Sequence, residues 1–151
     1  MNAIRHIGIY VNNIELMELF YTKVFGMHVI CSCEKDNSPL FDELLGEHNS
    51  TILTSKLITP YGKQAGQGDM IELVRVTNEG FYTNDNVTEK NIYDIGNSHI
   101  AMGVSDIVTT VNRIVEFGGK KYTSIYKMKN GNDCCFCNDP EGNWIELIQR
   151  N

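Results

Sequence analysis

Hydrophobic and polar positions in this chain follow one pattern that is written twice. Residues 6–14, HIGIYVNNI, and residues 99–107, HIAMGVSDI, each open on His, run through an apolar strand-like stretch, and close on a polar pair and Ile. Alternation with period two marks a half-buried strand. Helix-like segments follow at Glu15–Phe25 (ELMELFYTKVF) and Val108–Phe117 (VTTVNRIVEF). Asn13 and Asp106 stand where N-caps belong, and Gly26 and Gly118–Gly119 stand where helices stop. Late in each repeat comes a second shared phrase, GDMIELV at Gly68–Val74 and GNWIELI at Gly142–Ile148. The pattern predicts an α+β fold: two tandem β-α-β-β-β modules forming a curved mixed sheet in one domain. Module one covers about residues 1–78 and module two about 97–151. The polar, Asn- and Thr-rich stretch between them reads as a linker.

The repeats differ in length, since His6 and Glu72 lie further apart in sequence than His99 and Glu146. Much of the surplus is placed in Asn37–Gly46, NSPLFDELLG. Ser38 can cap, Pro39 suits the first helical position and Gly46 can end the turn, so a short extra helix is expected there.

Strand parity then sorts the polar residues. Side chains alternate between the faces of a strand. His6 therefore shares a face with Gly8 and Tyr10, opposite Ile7, Ile9 and Val11. His99 goes with Ala101 and Gly103, opposite Ile100, Met102 and Val104. Glu72 and Glu146 likewise stand opposite Ile71, Leu73, Ile145 and Leu147. The aliphatic faces are what helices pack against, which leaves both His and both Glu on the other side. A lone His on a strand is usually a surface or satisfied residue, and a lone Glu in an IEL phrase can pair with a Lys. Four such residues at duplicated positions with one parity instead suit a single divalent metal. Two neutral nitrogens and two anionic oxygens would bind it with positions left open. Ni, Co, Zn, Mn or Fe all accept such donors.

Composition narrows the remaining options. The formal net charge of −6 disfavours nonspecific nucleic-acid binding and leaves no polybasic membrane patch. No apolar run is long enough to span a bilayer, and the start lacks the parts of a signal peptide, so a cytoplasmic protein is expected. Lys120, Lys121, Lys127 and Lys129 fall close together and read as a solvated surface, or as a local anion contact. Five cysteines are an odd number without paired CxxC spacing. Cys31 with Cys33, and Cys135 with Cys137, read as pairs on one strand face that act as small buried hydrophobes.

The phrases FYTKVFGM at Phe20–Met27, GNSHIAMGV at Gly96–Val104 and DPEGNWIELI at Asp139–Ile148, with the ordered set His6, Glu72, His99 and Glu146, carry a resemblance to a known family. The chain resembles the vicinal oxygen chelate superfamily (glyoxalase, bleomycin resistance and dioxygenase proteins), and within it glyoxalase I. The resemblance implies that those four residues hold one divalent metal. It implies proton-transfer isomerisation of a small substrate chelated through adjacent oxygens, with Glu146 as the base and Glu72 a ligand or second base. It also implies a homodimer. The alternatives within the superfamily are an Fe(II) dioxygenase or an epimerase; outside enzymology the alternative is a small-molecule-binding module. Bacterial glyoxalase I usually has Arg where this chain has Tyr10, and Asn where it has Val76. Tyr10, Lys127 and Lys129 are the candidate substrate contacts in place of the usual glutathione-binding residues.

Overall fold

A computed structural model describes residues 4–81, 91–96 and 99–151 of the chain. The chain divides into two compact units, Met1–Val87 and Thr88–Asn151. Residues 82–90 of the predicted linker lie outside the described residues. Among the described residues no helix is long and apolar enough to cross a membrane.

Unit one runs β1 (His6–Tyr10), α1 (Ile14–Phe25), β2 (His28–Asp36), α2 (Pro39–Leu45), β3 (Ile52–Ile58), α3 (Pro60–Ala65) and β4 (Met70–Val76). Its strands form one mixed sheet in the order β1-β4-β3-β2, with β1 and β4 parallel and the other pairs antiparallel. Helix α1 starts where Asn13 Oδ1 accepts the Leu16 N–H at 2.9 Å, and ends at Gly26 in the left-handed conformation. Both features match the sequence reading. Its buried stripe, Ile14, Met17, Phe20, Tyr21 and Val24, recurs every three or four residues and packs on the sheet face of Leu57, Ile71 and Leu73. Fully burying side chains of this size contributes about 1.5–3 kcal/mol each before entropy is counted.

Unit two runs β5 (His99–Val104), α4 (Ile107–Glu116), β6 (Lys120–Lys121), β7 (Tyr126–Lys127), β8 (Asp133–Asn138) and β9 (Trp144–Gln149). Its sheet repeats the first, in the order β5-β9-β8-β6, with β7 also pairing with β8. Two short strands thus stand where unit one has β2. The fold is α+β with one mixed sheet per unit. Asp106 caps α4 by accepting from the Thr109 N–H at 3.0 Å, and its first turn is drawn in further by the Thr109 hydroxyl at 2.7 Å.

Three local expectations change. Helix α2 forms where the Ser-Pro signal predicts it, yet Ser38 makes no side-chain cap; its N–H donates instead to Asp36 Oδ1 at 2.8 Å. Helix α3 is an additional one-turn element, capped by Thr59 with Pro60 at its first position and Gly66 left-handed at its end. It shares with α2 a Pro at its start and a left-handed Gly at its end, and takes part of the length assigned to Asn37–Gly46. Finally, Cys31 and Cys33 do not share a face. Strand β2 bulges there, three steps from Cys31 to Glu34 matching two on β3, and Cys33 takes a positive φ of 49°. An extra residue reverses the alternation beyond it. The Cys33 N–H donates to Ser55 Oγ on the helix side, while Cys31 pairs across to Lys56. Cys135 and Cys137 are buried together as expected.

Candidate metal centre

In both units the site begins with the register of a parallel strand pair. In unit one His6 pairs with Met70 and Gly8 with Glu72; in unit two His99 pairs with Trp144 and Ala101 with Glu146. The offset is the same, so each His stands diagonally next to a Glu on the face opposite α1 in unit one and α4 in unit two. Gly8 or Ala101 beside the carboxylate keeps that corner small, and a Cβ placed on Gly8 would meet no heavy atom within 4 Å. His6 Nε2 lies 3.1 Å from Glu72 Oε2, and His99 Nε2 lies 3.3 Å from Glu146 Oε2. Burial follows the predicted parity: Ile71, Leu73, Ile145 and Leu147 are buried, whereas Glu72 and Glu146 are only partly covered.

These spacings suit a shared ion. Nitrogen and oxygen ligands about 2.0–2.2 Å from a metal stand roughly 3 Å from one another when adjacent. Each unit thus supplies one imidazole nitrogen and one carboxylate oxygen at ligand-to-ligand distance. Among the described residues no three or more His, Cys, Asp or Glu side chains gather to hold a metal. Thiols of β8 are raised from the ordinary value. Burial pushes Cys137 up to about 12, and Cys134 is raised first by burial and then by the Glu146 and Asp133 charges. They stay protonated near neutral pH, whereas metals bind thiolate.

Across the sheet the halves diverge. Lys56 on β3 pairs with Glu72, and its Nζ lies 3.3 Å from Glu72 Oε1. The matching position on β8 is Phe136, which pairs with Glu146 and sets its ring edge-to-face with His99 at 5.3 Å. Glu72 therefore has the Lys partner that a glutamate in an IEL phrase can take, and a His beside it as well. Neither Lys56 nor Phe136 was singled out from sequence, because the β3–β4 and β8–β9 registers were needed to place them.

The candidate substrate contacts separate. Tyr10 lies on the His6 face of β1, half exposed, and pairs with Val74. Lys127 pairs with Asp133, which in turn pairs with Gln149, so the ladder puts it on the face opposite Glu146. Its Nζ is bound there to Asp133 Oδ1 at 3.2 Å. Tyr126 takes the Glu146 face instead, through its pairing with Cys134. Lys129 is exposed beyond the end of β7. In unit one Val74 and Val76, on the Glu72 face, are buried with Ile52 beneath Phe41 and Leu45 of the extra helix and Phe81. The α2 insertion thus covers one end of the face that carries His6 and Glu72.

Comparisons with known proteins give the family and the fold. The family model of the Glyoxalase/Bleomycin resistance protein/Dioxygenase superfamily matches residues 3–147. A probable lactoylglutathione lyase of Synechocystis is 33% identical over 147 residues, covering 95% of this chain and 92% of its own. One from Vibrio parahaemolyticus is 32% identical over 149 residues, covering 97% and 89%. A glyoxalase family protein from Bacillus cereus shares the fold with a TM-score of 0.82 at 16% identity, over 99% of this chain and 94% of that one.

Proposed function

Because the chain belongs to the glyoxalase/bleomycin resistance protein/dioxygenase superfamily, we propose that it is a metal-dependent enzyme of the glyoxalase I kind. It would move a proton between adjacent carbons of a small substrate that chelates the ion through two oxygens. The observation that carries this reading is the repeated half-set: a His Nε2 and a Glu Oε2 at 3.1 and 3.3 Å, in one register, on the sheet face opposite α1 in unit one and α4 in unit two. His6, Glu72, His99 and Glu146 together would hold one divalent ion, Ni, Co, Zn, Mn or Fe. A four-ligand site takes one half-set of each kind, from one chain or from two copies of it.

When bound, such an ion supplies Lewis-acid stabilisation of the negative charge that grows on a substrate oxygen as a neighbouring carbon loses its proton. The rest of the chemistry falls to the protein. A carboxylate oxygen of Glu146 takes the proton from the carbon beside the carbonyl and returns it to the adjacent carbon. The hydroxyl proton passes between the two substrate oxygens at the same time, so the bonds broken and formed balance as an isomerisation with no external oxidant. Glu72 serves mainly as a ligand, and His6 and His99 as ligands only. Tyr10 is the substrate contact supported on the same face as His6, and Lys127, tied to Asp133, leaves that role. Val76 packed under α2 supports a pocket wall that is apolar where glutathione-specific relatives place a polar residue.

The test is turnover of the methylglyoxal–glutathione hemithioacetal by protein reconstituted separately with each of the five metals. We expect turnover with at least one, and bound metal close to one equivalent that is lost in His6→Ala. Unchanged metal content in His6→Ala would sink the site. Metal binding without turnover of the hemithioacetal would keep the site and exclude that substrate.

A further inference from the structure

Glu72 and Glu146 occupy equivalent positions but are held differently, and this assigns a role to a residue outside the ligand set. Oε2 of Glu72 lies beside His6 Nε2 at 3.1 Å, and Oε1 lies beside Lys56 Nζ at 3.3 Å. One oxygen faces the other donor of the half-set, and the second is taken by an ammonium. Lys56 reaches Glu72 from the directly opposed position of an unbroken antiparallel ladder, in which Ile52 through Ile58 each pair with one residue of β4. Its Cα is therefore fixed relative to that of Glu72. On the other flank the β2 partner of Lys56 is Cys31, whose thiol is raised chiefly by burial. The carboxylate on that flank is Glu34, which pairs with Thr54 and acts on the Cys31 thiol, while the Lys56 ammonium is paired with Glu72. In unit two the same ladder position holds Phe136, which has no charge or hydrogen-bond donor to offer Glu146.

We propose that Lys56 is a positioning residue that holds Glu72 by Oε1 so that Oε2 alone is presented beside His6. Resting on the metal-site reading above, this makes Glu72 a fixed ligand with one committed oxygen. Glu146, facing a phenyl ring, keeps the freedom to turn away and carry a proton. The duplicated site is thereby divided into a holding half and a working half by one residue on each β-hairpin. Partners that orient a ligating carboxylate in this way usually matter ten- to a hundredfold for metal affinity.

The experiment is Co²⁺ titration of the metal-free full-length protein, read by visible absorption, whose intensity reports coordination geometry independently of turnover. Wild type, Lys56→Met, Lys56→Arg, Glu72→Gln and the Lys56→Met/Glu72→Gln double variant are compared. We expect Lys56→Met to weaken Co²⁺ binding by about tenfold or more and to alter the absorption spectrum. Lys56→Arg should restore both, and Lys56→Met should have no further effect once Glu72 is Gln. Wild-type affinity and spectrum in Lys56→Met would overturn the role of Lys56 while leaving the metal site standing. An equal loss in the Glu72→Gln background would also overturn it, since the effect would not run through Glu72. Absence of Co²⁺ uptake by wild type would overturn the metal-site reading and this proposal with it. Lys56→Gln, which removes the charge and keeps a polar side chain, carries the same expectation should Lys56→Met fold poorly.

Discussion

The two units share a strand order over three strands, a helix after the first strand and the same His–Glu diagonal, yet differ at the position opposite each glutamate. Lys56 faces Glu72 and Phe136 faces Glu146. The backbone repeats because register and burial demand it: slipping a strand by one residue would turn Leu73 or Leu147 out of the core. The opposed position points to the face away from α1 and α4, where the aliphatic core does not fix its identity. Duplication thus preserved the frame, and chemistry diverged at the least constrained points on it.

That contrast can be broken most severely at the glutamates. Glu146→Gln should lower kcat by roughly 10²–10⁴ with metal retained, the usual loss when a general base is removed. Glu72→Gln should instead lower metal content, and steady-state kinetics beside metal analysis would separate the two. Equal kinetic loss at full metal occupancy in both variants would erase the proposed division. Next come the matched core residues. Leu73→Ala and Leu147→Ala, both fully buried, should each cost about 2–5 kcal/mol in urea unfolding. A cost well below this in one unit would show a core able to collapse around the missing side chain. A smaller effect is expected from Phe136→Lys, which sets an ammonium opposite Glu146 and should slow turnover about tenfold, or about 1.4 kcal/mol, without metal loss.

The helix caps give the finest contrast. Asn13→Ala should cost about 1 kcal/mol at any pH, as the loss of an uncharged cap does. Asp106 differs because its carboxyl is held below the ordinary range, first by the Thr109 N–H and then by the Thr109 hydroxyl. A carboxyl with a depressed folded pKa adds its full stability above the unfolded value of about 3.9, and loses it as pH falls through the folded value. Thermal melts should therefore show wild type losing its advantage over Asp106→Asn as the solution is acidified below about pH 4. A constant difference would show that the cap does not titrate with folding.

Much of this molecule could be read from its residues. Helices α1 and α4, their caps and the parity of His6, Glu72, His99 and Glu146 follow from period and spacing, because burial on one face leaves little choice. The bulge at Cys31–Glu34 was hidden, since an extra residue in a strand leaves no trace in apolar alternation when its neighbours are Cys, Ser and Glu. Helix α3 was legible in principle from Thr59, Pro60 and Gly66, but its single turn buries only Gly62 and so shows no apolar stripe. Lys56, Phe136 and Tyr126 were out of reach, because each matters through a partner on another strand, and only register supplies the partner.

The α2 insertion has a consequence for how such a module can change over generations. Asp36 and Ile52, the residues at which the chain leaves and rejoins the sheet, pair directly with each other. Residues 37–51 are therefore a closed excursion, and loop-closure entropy rises only slowly with length. Lengthening, shortening or exchanging that segment renegotiates no strand pairing in either unit. Because Phe41 and Leu45 come to rest on the face that carries Glu72, each such change alters the surroundings of the site directly. The module holds a place where heritable variation reaches the pocket wall while the ladder beneath it is left alone.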